Sequence, residues 1–239
     1  MKVLIGCPTA DTHKYCVEEY INSVQAINYA NKRIVLIDNS KNDDYCYFLK
    51  NLGVDVIKTL YCESARERIV KSRNILREMV INENYDYFLS LEQDVIPPRE
   101  IIEKLISHNK DIVSGIYFSR IKSVKDKTVN VLPLIWSGNL INEYSMSDID
   151  INRVMGNNFL EIKYCGLGCV LISKAVLSKI KFRFDSNYPS FDDLHFCFDA
   201  RQHGFKIYAD TSIKCRHLVL KRDWFWDDNK DIQRFKKDI

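Results

Sequence analysis

The sequence predicts an α/β fold: a central, mostly parallel sheet flanked by helices, with a smaller antiparallel portion late in the chain. Three observations carry that expectation. Between residues 1 and 117, short apolar runs bounded by turn residues alternate with longer stretches of helical spacing. Polar residues collect where the apolar runs stop, at Pro8-Thr9, Asp38-Asn39-Ser40 and Glu92-Gln93-Asp94. No internal repeat, low-complexity segment or Pro/Gly/Ser linker divides the 239 residues.

Taken in order, residues 2–7 read as a buried strand ending at Pro8-Thr9, because an apolar run this short is closed by a turn signal. Residues 14–31 place Val17, Tyr20, Ile21, Val24 and Ile27 on one helical face. A second strand at 33–37 stops at Asp38, a helix covers 43–52, and 54–57 is a third strand. Ile69, Ile75, Leu76, Met79 and Val80 predict the apolar side of a helix over 65–81. Residues 85–91 form the fourth strand. Pro97-Pro98 opens a helix to about 108, since proline suits a first helical turn. Residues 112–117 are another strand.

The second half is less regular. Basic residues 119–128 read as a solvated connection rather than a phosphate-grasping lid, and weak alternation over 131–165 suggests antiparallel strands with an insertion. Val170 to Ile172 leads into a helix at 173–180; a helix over 192–203 and a strand at 206–209 follow. The expected division is one domain over 1–220, with halves meeting near 117, and a helical tail at 221–239. That tail holds Trp224, Phe225 and Trp226. It reads as a helix closing over the domain, with an acceptor platform or a contact to a membrane surface as the alternative.

Composition narrows the function. The 35 basic and 32 acidic residues nearly balance, and no basic run interleaved with aromatics argues for nucleic acid. No stretch approaches the roughly 20 apolar residues of a membrane span, and the N-terminal residues lack a signal-peptide pattern. The expected location is the cytosol, with peripheral membrane contact as the alternative. There the eight cysteines should be reduced and mostly buried. Cys165, Cys169, His195, Cys197, Cys215 and His217 could be drawn into a zinc site, but their spacing is not that of a zinc knuckle.

Glu92 and Asp94 stand two apart at a strand end, so both carboxylates project to one side if the backbone stays extended. Oxygen ligands of this kind suit a hard divalent ion such as Mn²⁺ or Mg²⁺. A solvated acidic turn or a helix cap is the competing role.

The order of motifs decides between them. Pro8-Thr9, Asp38-Asn39-Ser40, Ser72-Arg73-Asn74, Glu92-Gln93-Asp94, Gly166-Leu167-Gly168, Asp192-Asp193 and His217 resemble, in sequence order, the motifs of the GT-A fold glycosyltransferases, particularly the large inverting family. The resemblance covers about 1–218. It implies a nucleoside-diphosphate sugar of the UDP or GDP type as donor, a carbohydrate or lipid-linked acceptor, and a divalent ion.

Pro8, Thr9, Asp38, Arg73, Asn74, Glu92 and Gln93 would surround the donor. Asp94 and His217, with Glu92 nearby, would hold the metal. Gly166, Leu167 and Gly168 would form a loop against sugar or acceptor, Asp193 would be the general base, and Asp192 would hold acceptor hydroxyls.

Each residue also has an ordinary role: Asp38 as a turn aspartate, Arg73 as a surface arginine, His217 as a core histidine, and Asp192-Asp193 as helix N-terminal acids. Two departures from the family pattern bear on the chemistry: Glu92 stands where the first aspartate of Asp-x-Asp is usual, and Asp192 where glutamate is usual. An inverting hexosyltransferase is the expected activity. A retaining enzyme on the same fold, or a sugar-binding protein without turnover, is the alternative. A nucleotidyltransferase is disfavoured because Gly6-Cys7-Pro8-Thr9-Ala10 lacks that class's glycine-rich loop and arginine.

Overall fold

The structure is a computed structural model, and it describes residues 1–122, 129–138, 146–187 and 191–218. The expected tail at 221–239, with Trp224, Phe225 and Trp226, and residues 123–128 of the expected connection at 119–128 lie outside the described residues. Residues 119–122 are strand, paired antiparallel with 129–132, and not a solvated connection.

The first half runs β1 (Val3–Thr9), α1 (Val17–Gln25), β2 (Lys32–Asp38), α2 (Asp44–Asn51), β3 (Asp55–Lys58), α3 (Ala65–Asn82) and β4 (Tyr87–Leu91). It continues with β5 (Val95–Ile96), α4 (Ile101–Ser107) and β6 (Ile112–Ile116). The second half runs β7 (Phe118–Lys122), β8 (Val129–Pro133), β9 (Ile135–Gly138), β10 (Met146–Asp148), α5 (Ile151–Met155), β11 (Phe159–Ile162) and β12 (Tyr164–Cys165). After these come β13 (Cys169–Ser173), α6 (Lys174–Lys179), α7 (Asp192–Gln202), β14 (Ile207–Lys214) and β15 (Arg216–His217).

Eight strands form one sheet in the order β11-β14-β6-β13-β4-β1-β2-β3. The pairs β1–β2, β1–β4, β2–β3 and β6–β14 are parallel, whereas β13 runs antiparallel to both β4 and β6. Small antiparallel pairings accompany it: β7 with β8, β9 with β10 and β12, and β5 with β15. The two halves expected from the sequence therefore interleave in space, because β13 lies between two strands of the first half.

Alternation along β1 shows how the sheet is covered. Val3, Ile5 and Cys7 pack with α1, α2 and α4, while Leu4 packs on the other face with Leu76 and Val80 of α3. Gly6 lies on that second face; a Cβ there would meet Val35 O at 2.4 Å and Leu76 Cδ2 at 2.8 Å. Its missing side chain lets α3 lie close against β1 and β2.

Ser64 caps α3, its hydroxyl accepting the Glu67 N–H at 3.3 Å. The buried side of this helix differs from the expected apolar stripe. Leu76 and Val80 are inside, but Ser72, Arg73 and Arg77 are buried with them, and Ile75 and Met79 only partly so. Both arginines find partners there: Arg77 Nε donates to Ile180 O at 2.7 Å, and Arg73 enters the site described below.

Among the described residues, no helix is long and apolar enough to cross a membrane. The cysteines in the sketched zinc arrangement form two separate buried contacts, Cys165–Cys197 at 4.0 Å and Cys169–Cys215 at 3.5 Å between sulfurs. Neither contact includes a histidine.

Candidate active site

A cleft of about 380 Å³ opens where β1, β2 and β4 end. This is the carboxyl edge of the parallel strands, where open α/β sheets bind ligands. Thr9 closes β1 with its hydroxyl 3.3 Å from the Tyr45 hydroxyl and in contact with Gln93 Oε1, and Thr9 O accepts the Asn39 N–H at 2.9 Å. Pro8, Thr9, Asn39 and Gln93 line the cleft.

Asp38 is held just beneath them. It is fully buried, Oδ1 accepts from the Ser40 N–H at 2.9 Å and the Ser40 hydroxyl at 2.6 Å, and Lys58 Nζ stands 3.3 Å from Oδ2. Asn39, the next residue, is the one that reaches the cleft wall.

After β4 the backbone turns sharply, with the Val95 N–H donating to Glu92 O at 2.9 Å. The extended geometry that would aim Glu92 and Asp94 to one side does not persist. Glu92 Oε1 instead accepts from Arg73 Nη2 at 2.6 Å, while Asp94 Oδ2 lies 3.2 Å from His217 Nε2. The two acids of one motif thus take different partners.

His217 arrives from 123 residues away because β15 pairs with β5: His217 stands opposite Val95, and the Leu218 N–H donates to Asp94 O at 2.7 Å. Its Nδ1 bonds the carbonyl of Phe118. That carbonyl can only accept, so Nδ1 carries a proton; Nε2 donates to Asp94 when the ring is charged, and has a lone pair to offer a cation when the ring is neutral. A backbone carbonyl behind a histidine is the usual way to orient a metal ligand. Burial alone would raise the Asp94 carboxyl, but the bonded His217 brings it below the ordinary range. Burial would likewise lower His217, and Asp94 raises it instead.

The donor set fits a divalent ion that keeps part of its shell for ligand oxygens and water. Asp94 and His217 face each other, and among the described residues no group of three or more His, Cys, Asp or Glu side chains encloses a metal by itself.

Arg73 is 3% exposed and works against protein groups. Nη1 donates to the Ser90 hydroxyl at 2.7 Å, Nη2 bonds Glu92, and Nε lies 2.8 Å from Asp192 Oδ2, close as charges though not aligned as a hydrogen bond. Burial opposes its charge, but Asp192 and Glu92 outweigh that and hold it above the ordinary value. Asn74 faces away from the cleft: Nδ2 donates to Phe182 O at 2.9 Å, and Oδ1 accepts the Phe182 N–H at 3.0 Å.

Asp192 and Asp193 open α7 behind Phe191, which is half exposed at the cleft rim. Burial raises Asp192, with Arg73 opposing. Asp193 also lines the cleft, and burial, then Asp192 and Glu92, push its carboxyl up to about 6. A carboxylate with that value is poised to take a proton near neutral pH.

The glycine loop closes the same side. Gly168 O accepts the Glu92 N–H at 3.0 Å, Leu167 O accepts the Ser90 hydroxyl at 2.6 Å, and Leu167 lines the cleft. A Cβ on Gly166 or Gly168 would strike the Tyr117 hydroxyl, at 2.2 and 2.6 Å. The glycines therefore make room for a tyrosine.

His13, Arg68, Tyr117 and Phe191 line the cleft without having been singled out from the sequence. Only Tyr117 carried a signal, as a polar-tipped residue at the end of a predicted strand.

No protein-family model matches the sequence, and no curated protein matches it. Solved structures match in shape. A197 from STIV aligns over 93% of this chain and 88% of its own, with a TM-score of 0.53 and 17% identity. The mannosyltransferase PcManGT from Pyrobaculum calidifontis, in complex with GDP-Man and Mn²⁺, aligns over 92% of this chain with a TM-score of 0.60 and 12% identity. The fold is GT-A. S. aureus TarS 1-349 in complex with UDP-GlcNAc gives a TM-score of 0.54 at 14% identity over 90% of this chain. This chain spans 58% of the mannosyltransferase and 57% of that TarS chain, so both carry substantial length that it does not match.

Proposed function

We propose that this GT-A protein is an inverting glycosyltransferase, moving a hexosyl group from a nucleoside-diphosphate sugar to an acceptor hydroxyl with a divalent ion. The observation that carries the reading is that Asp94, paired with His217, and Asp193 line one cleft. The Asp94–His217 pair is oriented by a backbone carbonyl, and Asp193 is raised to about 6 at the start of α7. A UDP- or GDP-sugar as donor is supported by the ligands of the similar structures, UDP-GlcNAc and GDP-Man.

Asp193 takes the proton of the acceptor hydroxyl while that oxygen bonds to the anomeric carbon. The bond from this carbon to the diphosphate oxygen breaks, and the nucleoside diphosphate leaves with the electron pair. Asp94 and His217 would hold Mn²⁺ or Mg²⁺, which when bound neutralises charge on the departing diphosphate. Arg73 lines the cleft, which keeps the donor contact expected of it open, and it also holds Glu92 and Asp192 in place. Arg68 has Nη1 bonded to Glu63 O at 3.0 Å but no partner for its buried Nε among the described residues, so it has donor capacity left for the nucleotide.

The test is incubation with UDP-, GDP- and dTDP-sugars, with and without Mn²⁺, following nucleotide release and the anomer formed. Metal-dependent release with inversion is expected. The absence of both release and metal-dependent donor binding would remove the enzyme reading; release with retention would remove Asp193 as base.

A further inference from the structure

Tyr117 has a role that neither the motif order nor the proposed chemistry uses. It stands between β6 and β7, 2% exposed, with its side chain in the cleft wall. Its backbone O accepts the Leu134 N–H at 3.0 Å, and Leu134 O accepts the Gly166 N–H at 2.9 Å. Its ring meets His217 edge-on, with centroids 5.3 Å apart and planes at 82°. Its hydroxyl oxygen accepts the Gly168 N–H at 2.9 Å.

That last bond leaves the hydroxyl half used. A tyrosine hydroxyl both donates and accepts, and a buried one ordinarily finds partners for its needs. Here the acceptor side is filled by Gly168, and among the described residues no acceptor takes the proton. The two flanking glycines leave the hydroxyl no room to retreat, since its oxygen lies where either Cβ would be.

Position selects the recipient. The ring packs on His217, the end where the diphosphate would sit, while Asp193 marks the end where the acceptor is deprotonated. Tyr117 packs on His217 and shares the cleft lining with Asp193, so its hydroxyl is placed for the sugar that joins those two ends.

We propose that Tyr117 is a substrate-contacting residue whose hydroxyl, fixed by the Gly168 N–H, donates to a hydroxyl oxygen of the donor sugar. This rests on the glycosyltransferase reading and adds to it a determinant of sugar recognition.

The experiment measures calorimetric binding, with Mn²⁺, of UDP-GlcNAc, GDP-mannose and bare UDP and GDP to the full chain and to Tyr117→Phe. Whichever sugar nucleotide the wild type binds should bind the variant about three- to tenfold more weakly, the range for one neutral hydrogen bond, with its bare nucleotide unchanged. Equal affinity of both proteins for the sugar nucleotide overturns the assignment. So does an equal loss for the bare nucleotide, which would mean that the glycine loop had merely loosened. A second measurement needs no variant: against donors lacking one sugar hydroxyl at a time, wild type should lose the same factor for one of them. If every deoxy donor binds like its parent, the contact does not exist. Failure of the wild type to bind any sugar nucleotide would instead sink the functional reading itself.

Discussion

The cleft carries the same side chain at two places with its acidity shifted in opposite directions. Asp94 touches an imidazole and is held below the ordinary carboxylate range, while Asp193 faces Asp192 and Glu92 and is pushed up to about 6. Both pay a burial penalty, so burial alone does not distinguish them. The neighbour does: one carboxylate stays ionised and suits a cation, and the other can pick up and release a proton near neutrality. Arg73 keeps the surroundings of Asp193 from becoming a cluster of unbalanced negative charge, since it contacts both Glu92 and Asp192.

The largest effect should come from breaking the proton-accepting carboxylate. Asp193→Asn is expected to reduce transfer about 10²- to 10⁴-fold while leaving Mn²⁺-dependent donor binding intact, measured by turnover and calorimetry side by side. Transfer at the wild-type rate would end the assignment of the base. At the other carboxylate, Asp94→Ala should abolish the Mn²⁺ dependence of donor binding, weakening it by about 100-fold; His217→Ala should act in the same direction. An unaltered metal titration in both variants would contradict the pairing.

Arg73 tests the charge balance beside Asp193. Arg73→Met leaves Glu92 and Asp192 without their cation, and thermal unfolding should show a loss of about 3 kcal/mol. A variant as stable as wild type would mean that the network contributes no net stability.

Two smaller effects concern pH. Transfer should rise as pH increases through about 6, and Asp192→Asn should move that limb to lower pH by removing a charge that raises Asp193. A limb that stays in place would place the titrating group elsewhere. For stability the sign is as follows. The Asp193 value is raised from 3.8 to about 6 in the folded protein, so the fold binds the proton more tightly and loses stability as pH climbs through that window. Asp193→Asn should therefore melt above wild type at pH 7.5, with the gap shrinking toward pH 4.

Much of the donor side was legible because its elements obey short periods. The strands at β1, β2 and β4 and the helix α1 follow from alternating or helical apolar spacing, and α1 buries the expected Val17, Tyr20, Ile21 and Val24. The stripe on α3 meets the core through Leu76, Val80, Ile75 and Met79, but the burial of Arg73 and Arg77 beside it is not legible, because a buried guanidinium looks, in sequence, like a surface residue. Glu92 and Asp94 were expected to point together, and a single turn bond from Val95 to Glu92 parts them. Gly166 and Gly168 suggested a ligand approach, yet their space holds the Tyr117 hydroxyl. Asn74 follows Arg73 in the motif but turns to Phe182, since adjacent helical residues lie about 100° apart.

The sequence by itself determined the strand and helix alternation, the edge at which polar residues gather, and the set of acids and histidine on which a cleft could be built. Those features depend on local periodicity and on residue chemistry, both readable along the chain. Only the tertiary structure decided that His217 meets Asp94, that Arg73 joins Glu92 to Asp192, that β13 runs between β4 and β6, and that Tyr117 fills the glycine loop. Each of these joins residues far apart in sequence, and the electrostatics that separate Asp94 from Asp193 exist only once those partners are in place.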